Sequence, residues 1–251
     1  MNSIVIEKVS TARDCFMIDK YPGNYFDFIT RDENYMKKYN MILLKEDIGN
    51  LSGFIGYADN GMAIICINYN RPICHQNFTF AHEIGHLFLH QGISISDSDE
   101  EINSFTGIEK EANEFASELL YPMKMFENDY SEIKAKDLLD PSKRLDLAIA
   151  INTLCLRYFI SFEMVLRRVL FKAYMIRDYK KIRTEIDKLT GNVSNYFDYN
   201  FYKVDNDHYY YQKHLLPYMT LKKNVDEMIK ENRISYATGE SILFRNGLLE
   251  E

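Results

Sequence analysis

Two histidines separated by three residues, with a glutamate directly after the first, stand in the segment FAHEIGHLFLHQ (residues 80–91). Because residues four apart lie on one face of an α-helix, His82 and His86 can direct both imidazoles at one point. Two imidazoles at this spacing suit a zinc ion. Glu83 lies about 100° around the helix from His82, where a carboxylate can act as a base for a water molecule beside the metal.

A helix that merely contains histidines is the alternative interpretation, because H-E-x-x-H also arises by chance. The neighbouring positions favour a metal site, since Phe80, Ile84 and Leu87 make the predicted helix largely buried. Unpaired polar groups are costly inside a protein, and metal binding removes that cost. Gly85 has no side chain, which allows a second backbone to approach the helix closely.

A third protein ligand must come from another element, because a catalytic zinc site takes three protein ligands and keeps one position open. The segment IEKEANEFASELLYP (residues 108–122) has the apolar stripe of an amphipathic helix. Glu111 flanks that stripe and is predicted to be the third ligand, and Glu109, which also flanks it, is the alternative. The remaining glutamates of this helix, expected to face solvent, are Glu114 and Glu118.

A small antiparallel sheet is predicted before the histidine helix. Residues 41–47 form one β-rich run, and residues 52–70 contain two more that are separated by Asn60-Gly61, a strong hairpin signal. The strand at about 62–68 is expected beside the site, where its edge could accept an extended substrate chain. The loop 70–77 is expected to lead into the helix at about Phe78.

Helices are predicted for most of the remaining chain. The ranges are 3–20, 25–38, 123–140 together with a loop, 144–176 as two helices in which Ser161 caps the second, and 225–247 as a pair. The fold class is therefore α+β and mostly helical. We predict three regions, which are 1–140 with the site, 141–178 packed on it, and a helical C-terminal region at 179–251 of unknown role.

Composition excludes some other classes of protein. No run of about 18 apolar residues is present, so no membrane-spanning helix is expected, and the N-terminus lacks the pattern of a secretory signal. The four cysteines form no CxxC pair, and a cytoplasmic protein is predicted. The formal net charge of −7 makes direct nucleic-acid binding an unfavoured function.

Two segments together resemble the ImmA/IrrE family of zinc metallopeptidases. FTFAHEIGHLFLH and EKEANEFASELLYP match the family patterns F-T-x-A-H-E-x-G-H-x-x-x-H and E-A-N-x-F-A-x-x-L-L-x-P, and a looser similarity extends the match over about residues 40–176. The family commonly has an arginine shortly before F-T, whereas this chain has His75-Gln76-Asn77.

The resemblance implies a zincin-like metallopeptidase domain that binds Zn²⁺. It implies that His82 and His86 are zinc ligands, that Glu83 is the general base and that Glu111 is the third ligand. The implied activity is cleavage of a protein substrate, a DNA-binding helix-turn-helix repressor of a mobile element or a stress response. The site would resemble that of a gluzincin.

A non-catalytic, zinc-containing regulatory or protein-binding module is the competing hypothesis. An intact Glu83 argues against it, because a binding module has no use for the base. Stabilisation of the oxyanion has no assigned residue, and the candidates are His90, His75 and Tyr121. Of these, His90 continues the face of His82 and His86, and Tyr121 also suits core packing.

Overall fold

The computed structural model describes residues 2–18, 23–30, 37–98, 107–197 and 218–245. These residues form an α+β fold in which helices predominate, as the sequence predicts. The strands are β1 (Met41–Glu46), β2 (Leu51–Tyr57), β3 (Ala63–Asn68) and β4 (Ile95–Ser98). The helices are α1 (Ser3–Cys15), α2 (Tyr25–Thr30), α3 (Ile73–Leu89), α4 (Gly107–Leu120), α5 (Met123–Ala135), α6 (Arg144–Tyr158), α7 (Phe162–Lys172), α8 (Tyr179–Thr190), α9 (Val193–Tyr196), α10 (Tyr218–Lys230) and α11 (Tyr236–Arg245).

The sheet is small, as predicted, but it is mixed rather than antiparallel. Its strand order is β1-β3-β2-β4. The hairpin of β2 and β3 is antiparallel, whereas β1 pairs with β3 in parallel. The short connection after β1 passes the end of β3, where the side-chain amide of Asn68 donates to the carbonyls of Gly49 and Leu51 at 3.0 and 2.7 Å. Because the connection from β1 to β2 crosses the end of β3, β1 and β2 lie on opposite sides of β3.

The strand β3 lies inside the sheet, bonded to β1 on one side and to β2 on the other. Its backbone donors and acceptors are therefore used by its neighbours. The prediction that residues 62–68 present an edge to an extended substrate is wrong for this reason. The outer strands of the sheet are β1 and β4.

Helices cover both faces of the sheet. Alternate strand residues, among them Leu43, Ile55 and Ile65, belong to a large apolar cluster that runs from α1 to Val193 in α9. The intervening strand residues belong to a second cluster with α10, α11 and the turn between them. The apolar members of that second cluster include Ile42, Leu44, Phe54, Ile64, Cys66, Leu221, Val225, Met228, Ile242 and Leu243. Because both faces of the sheet are buried, the sequences of β1 and β3 are nearly continuous apolar runs.

The helix α3 begins at Ile73, five residues earlier than the sequence predicts. The polar residues Gln76 and Asn77, which suggest a loop, are buried, and the side-chain amide N–H groups of both are hydrogen-bonded. Gln76 donates to the carbonyls of Tyr69 and Arg71 at 3.0 and 2.7 Å. Asn77 joins α3 to the entry of α2 and to the end of α6. These hydrogen bonds offset the cost of placing amides in the core.

Other sequence predictions agree with the structure. Ser161 caps α7, accepting a hydrogen bond from the backbone N–H of Met164. The two predicted C-terminal helices are present as α10 and α11, while residues 198–217 and 246–251 of that region lie outside the described part.

No single helix in the described part of the chain has the length and apolar character needed to cross a membrane. One pair of helical segments, Pro141–Tyr158 and Phe162–Lys172, meets that test only when the two are taken together across a 118° bend.

Replacing Leu221 with alanine should lower the free energy of unfolding by about 2–5 kcal/mol, because this side chain is fully buried between α10 and the sheet. Leu189→Ala serves as the matched control, since Leu189 is 57% exposed on α8. The control should change stability by less than about 0.5 kcal/mol. Urea unfolding of both variants measures the difference, and equal effects would contradict the packing of α10 on the sheet.

Candidate metal centre

Two buried histidines on α3 face each other across one helical turn. His82 and His86 are both fully buried, and their Nε2 atoms lie 3.0 Å apart. Burial follows from the position of α3, which packs on the sheet with one face and on α4 with another. Two ring nitrogens are therefore held at one point inside the protein, as the spacing in the sequence predicts.

A carboxylate from α4 completes a triangle with these nitrogens. Oε2 of Glu109 lies 3.2 Å from Nε2 of His82 and 3.6 Å from Nε2 of His86. Ligands about 2.0–2.1 Å from a tetrahedral zinc ion stand about 3.3 Å from one another. The three observed separations bracket that spacing, so the donor set of His82, His86 and Glu109 fits a divalent metal.

Glu111 lies elsewhere. Its Oε2 is 3.1 Å from Nε2 of His90, and its side chain is 42% exposed, against 16% for Glu109. Residues two apart on a helix point about 200° away from each other, so only one of these two glutamates can face the histidine pair. In the structure that residue is Glu109, the alternative ligand of the sequence analysis, while Glu111 reaches the end of α3.

Glu109 is held in its ionised form. Burial favours the neutral acid, but the close imidazoles of His82 and His86 outweigh it and bring the pKa of Glu109 to about 2. A carboxylate binds a divalent metal in its ionised form. At neutral pH Glu109 is therefore a carboxylate, the form that a metal ligand needs.

Each histidine of the pair has a contact at its other ring nitrogen. Nδ1 of His82 lies 3.1 Å from Oδ1 of Asn113, and Nδ1 of His86 lies 2.9 Å from Nδ1 of His90. Sequence reasoning did not identify Asn113. Its position one turn after Glu109, and so on the same face of α4, is the signal that could have revealed it.

Glu83 lies on the side of α3 that faces β2, and it is fully buried. Gly53 of β2 makes room for it, because a Cβ there would lie 2.9 Å from Oε1 of Glu83 and 2.6 Å from Cγ2 of Thr79. The predicted base is thus next in sequence to a predicted ligand and packed against the strand rather than against α4. It does not belong to the triangle of donor atoms.

Gly85 lies where α3 packs closely against the backbone of α4. A Cβ at this position would lie 3.2 Å from Cα of Ala112 and 3.3 Å from its carbonyl oxygen. The absent side chain lets the backbone of α4 come near α3, as the sequence predicts. Glu109 stands one turn before Ala112, so this contact sets the distance from its carboxylate to the histidines.

Replacing Gly85 with valine should push α4 away from α3, lowering the free energy of unfolding by about 1–3 kcal/mol. Zinc affinity should fall as well, because Glu109 moves with α4. Ala150→Val on α6 is the control for adding a branched side chain, and it should leave zinc affinity unchanged. Thermal unfolding and zinc titration measure both effects, and normal zinc affinity in Gly85→Val would contradict this role of the contact.

The remaining sequence candidates have other contacts. Nε2 of His75 lies 3.1 Å from the hydroxyl of Ser52. The hydroxyl of Tyr121 donates to Asp129 at 2.9 Å inside the core, where burial raises the pKa of Tyr121. These contacts place Tyr121 in the helical core with Asp129, and they leave the oxyanion-stabilising residue without an assignment.

Comparison with known proteins is consistent with this arrangement. The family model of peptidase M78, described as the IrrE N-terminal-like domain, matches residues 36–170, which includes α3 and α4. A relative, the Metallopeptidase ImmA of Bacillus subtilis (strain 168), is 33% identical over 86 residues. The match covers 33% of this chain and 49% of that relative, so it spans about half the relative's length. Because the family model covers more than half of the chain, the chain belongs to the peptidase M78 family of IrrE N-terminal-like domains.

Proposed function

We propose that this protein is a metal-dependent endopeptidase whose metal ligands are His82, His86 and Glu109. The convergence of these three donors, with Glu83 next to His82, is the observation that carries the proposal. A set of two imidazoles and one carboxylate is one of the donor sets that hold zinc in catalytic sites with an open fourth position. We therefore propose Zn²⁺ as the cofactor.

The protein's own groups divide the chemistry of hydrolysis between them. When bound, the metal polarises the scissile carbonyl and lowers the pKa of the attacking water. Glu83 removes a proton from that water and returns it to the nitrogen of the departing chain. The buried position of Glu83 beside Gly53 keeps its carboxylate in one orientation for both transfers. His82, His86 and Glu109 contribute orientation and charge and undergo no covalent change.

We propose a protein substrate, and more specifically a DNA-binding helix-turn-helix repressor of a mobile element or a stress response. The proposal is supported by the motif resemblance to the ImmA/IrrE family and by a relative whose name is Metallopeptidase ImmA. A cytoplasmic site of action follows from a substrate of this kind. The net charge of −7 favours contact with a protein over direct contact with DNA.

Removal and restoration of the metal test this function. The purified protein is incubated with the repressor encoded beside it, before and after chelation and again after zinc is added back. We expect two fragments whose masses sum to that of the repressor plus one water, no fragments after chelation, and recovery with zinc. An intact repressor in the presence of fully loaded protein would favour the alternative, a zinc-containing binding module.

A further inference from the structure

A row of hydrogen-bonded polar side chains leads outward from His86 of the proposed metal site. Nδ1 of His86 lies 2.9 Å from Nδ1 of His90, and Nε2 of His90 lies 3.1 Å from Oε2 of Glu111. His90 is 8% exposed at the end of α3, so this row runs from the core to the surface. On the far side, the amide of Asn2, which caps α1, donates to the other oxygen of Glu111 at 3.4 Å.

One placement of protons satisfies every contact in this row. A histidine that binds a metal through Nε2 carries its proton on Nδ1. His86 then donates from Nδ1 to Nδ1 of His90, which must be unprotonated at that nitrogen. The proton of His90 therefore stands on Nε2, where it is donated to the carboxylate of Glu111. The opposite placement would put the proton of His86 on Nε2 and block metal binding.

We propose that His90 and Glu111 are positioning residues that hold His86 in the tautomer and ring orientation that bind the metal. This inference rests on the proposed metal site. The contact of His82 with Asn113 supports it, because the two histidines would then each have a fixed partner at Nδ1. Glu111, expected from the sequence to be a ligand, acts through His90 at a distance of two side chains from the metal.

Zinc affinity, measured by competition with a chromophoric chelator, tests the role of His90 without reference to cleavage. His90→Leu removes the acceptor and should weaken zinc binding by about 10–100-fold, the usual effect of losing a partner of a metal-ligating histidine. His90→Asn places an amide oxygen where Nδ1 of histidine stands, so it should restore most of the affinity. The Co²⁺-substituted proteins should show altered visible spectra for His90→Leu and a near wild-type spectrum for His90→Asn.

Glu111→Ala should weaken zinc binding less than His90→Leu, because His90 still accepts from His86 but no longer has a fixed tautomer. In the His90→Asn background the same change should have no further effect, since the amide needs no carboxylate. Glu114→Ala on the same helix is the matched control and should bind zinc as the wild type does. Melting of the metal-free proteins separates loss of affinity from loss of fold.

The outcomes are distinct. Wild-type affinity in His90→Leu, or equal weakness of His90→Asn and His90→Leu, would overturn the inference. A wild-type protein that binds no zinc would overturn the proposed site and this inference with it. A wild-type protein that binds zinc but cleaves no repressor would remove only the proposed activity, and the affinity series would still decide the role of His90.

Discussion

Replacing Glu83 with glutamine is expected to abolish peptide cleavage while the metal stays in place. Glutamine has the shape of glutamate, so the space beside Gly53 is filled as before. It cannot accept a proton from water or return one to the departing nitrogen. General acid–base catalysis contributes about 10²–10⁴-fold to a rate, and one carboxylate serves both transfers here, so we expect a loss of at least about 10³-fold.

The rate at which the two fragments appear measures the loss of cleavage, and the metal content of the purified variant shows whether the site is still occupied. Glu132→Gln, which makes the same change at an exposed position of α5, should cleave at the wild-type rate. Glu83→Gln should contain as much zinc as the wild type, because Glu83 is outside the group of donor atoms. Cleavage by Glu83→Gln at more than about one tenth of the wild-type rate would show that another group is the base.

Replacing Glu109 with glutamine is expected to remove most of the metal. The change takes one charged ligand from a set of three and leaves two neutral imidazoles, which hold a divalent cation weakly. We expect zinc affinity to fall by more than about 100-fold, beyond the range typical of residues that only support a ligand. Cleavage should be lost together with the metal, and excess zinc should restore part of it.

Zinc titration of two other variants on α4 provides the comparison. Glu114→Gln makes the same change of charge on the same helix and should bind zinc normally. Glu111→Gln should fall between the two, because its amide oxygen still accepts from His90. If Glu111→Gln lost the metal and Glu109→Gln kept it, Glu111 would be the ligand and the assignment of Glu109 would be wrong.

The choice between these two glutamates shows what a sequence can and cannot predict. The spacing of His82 and His86 is sufficient to predict their meeting, because one helix contains both. The position of Glu109 depends on how α4 lies on α3, and the contact of Gly85 with Ala112 sets that geometry. Both glutamates flank the apolar stripe, so hydrophobic patterning alone does not separate them.

The sheet and the start of α3 show the same limit at other residues. β-rich runs predict β1, β2 and β3 closely but not β4, and the pairing of β1 with β3 depends on a crossing held by Asn68. Gln76 and Asn77 suggest a loop because they are polar, and the sequence does not show the partners that satisfy them, such as the carbonyl of Phe159 that accepts from Asn77. Polar residues that are buried in such networks are not recognisable from composition.

The sequence predicts the C-terminal helices as elements but does not show that they belong to the core. Leu221, Val225 and Met228 are spaced as one apolar stripe, which indicates that α10 packs on another element. The strands β1 to β3 are apolar on both faces. Pairing these two surfaces requires the three-dimensional arrangement of the chain. In the structure Leu221 and Met228 pack on the sheet face opposite α3.

Anomalous diffraction at the zinc absorption edge, from crystals grown with zinc, tests the central claim most directly. The account predicts one strong peak bounded by Nε2 of His82, Nε2 of His86 and the carboxylate of Glu109, with Glu83 beside it and not bonded to it. A peak bound by Glu111 in place of Glu109, or no peak at the two histidines, would contradict the account.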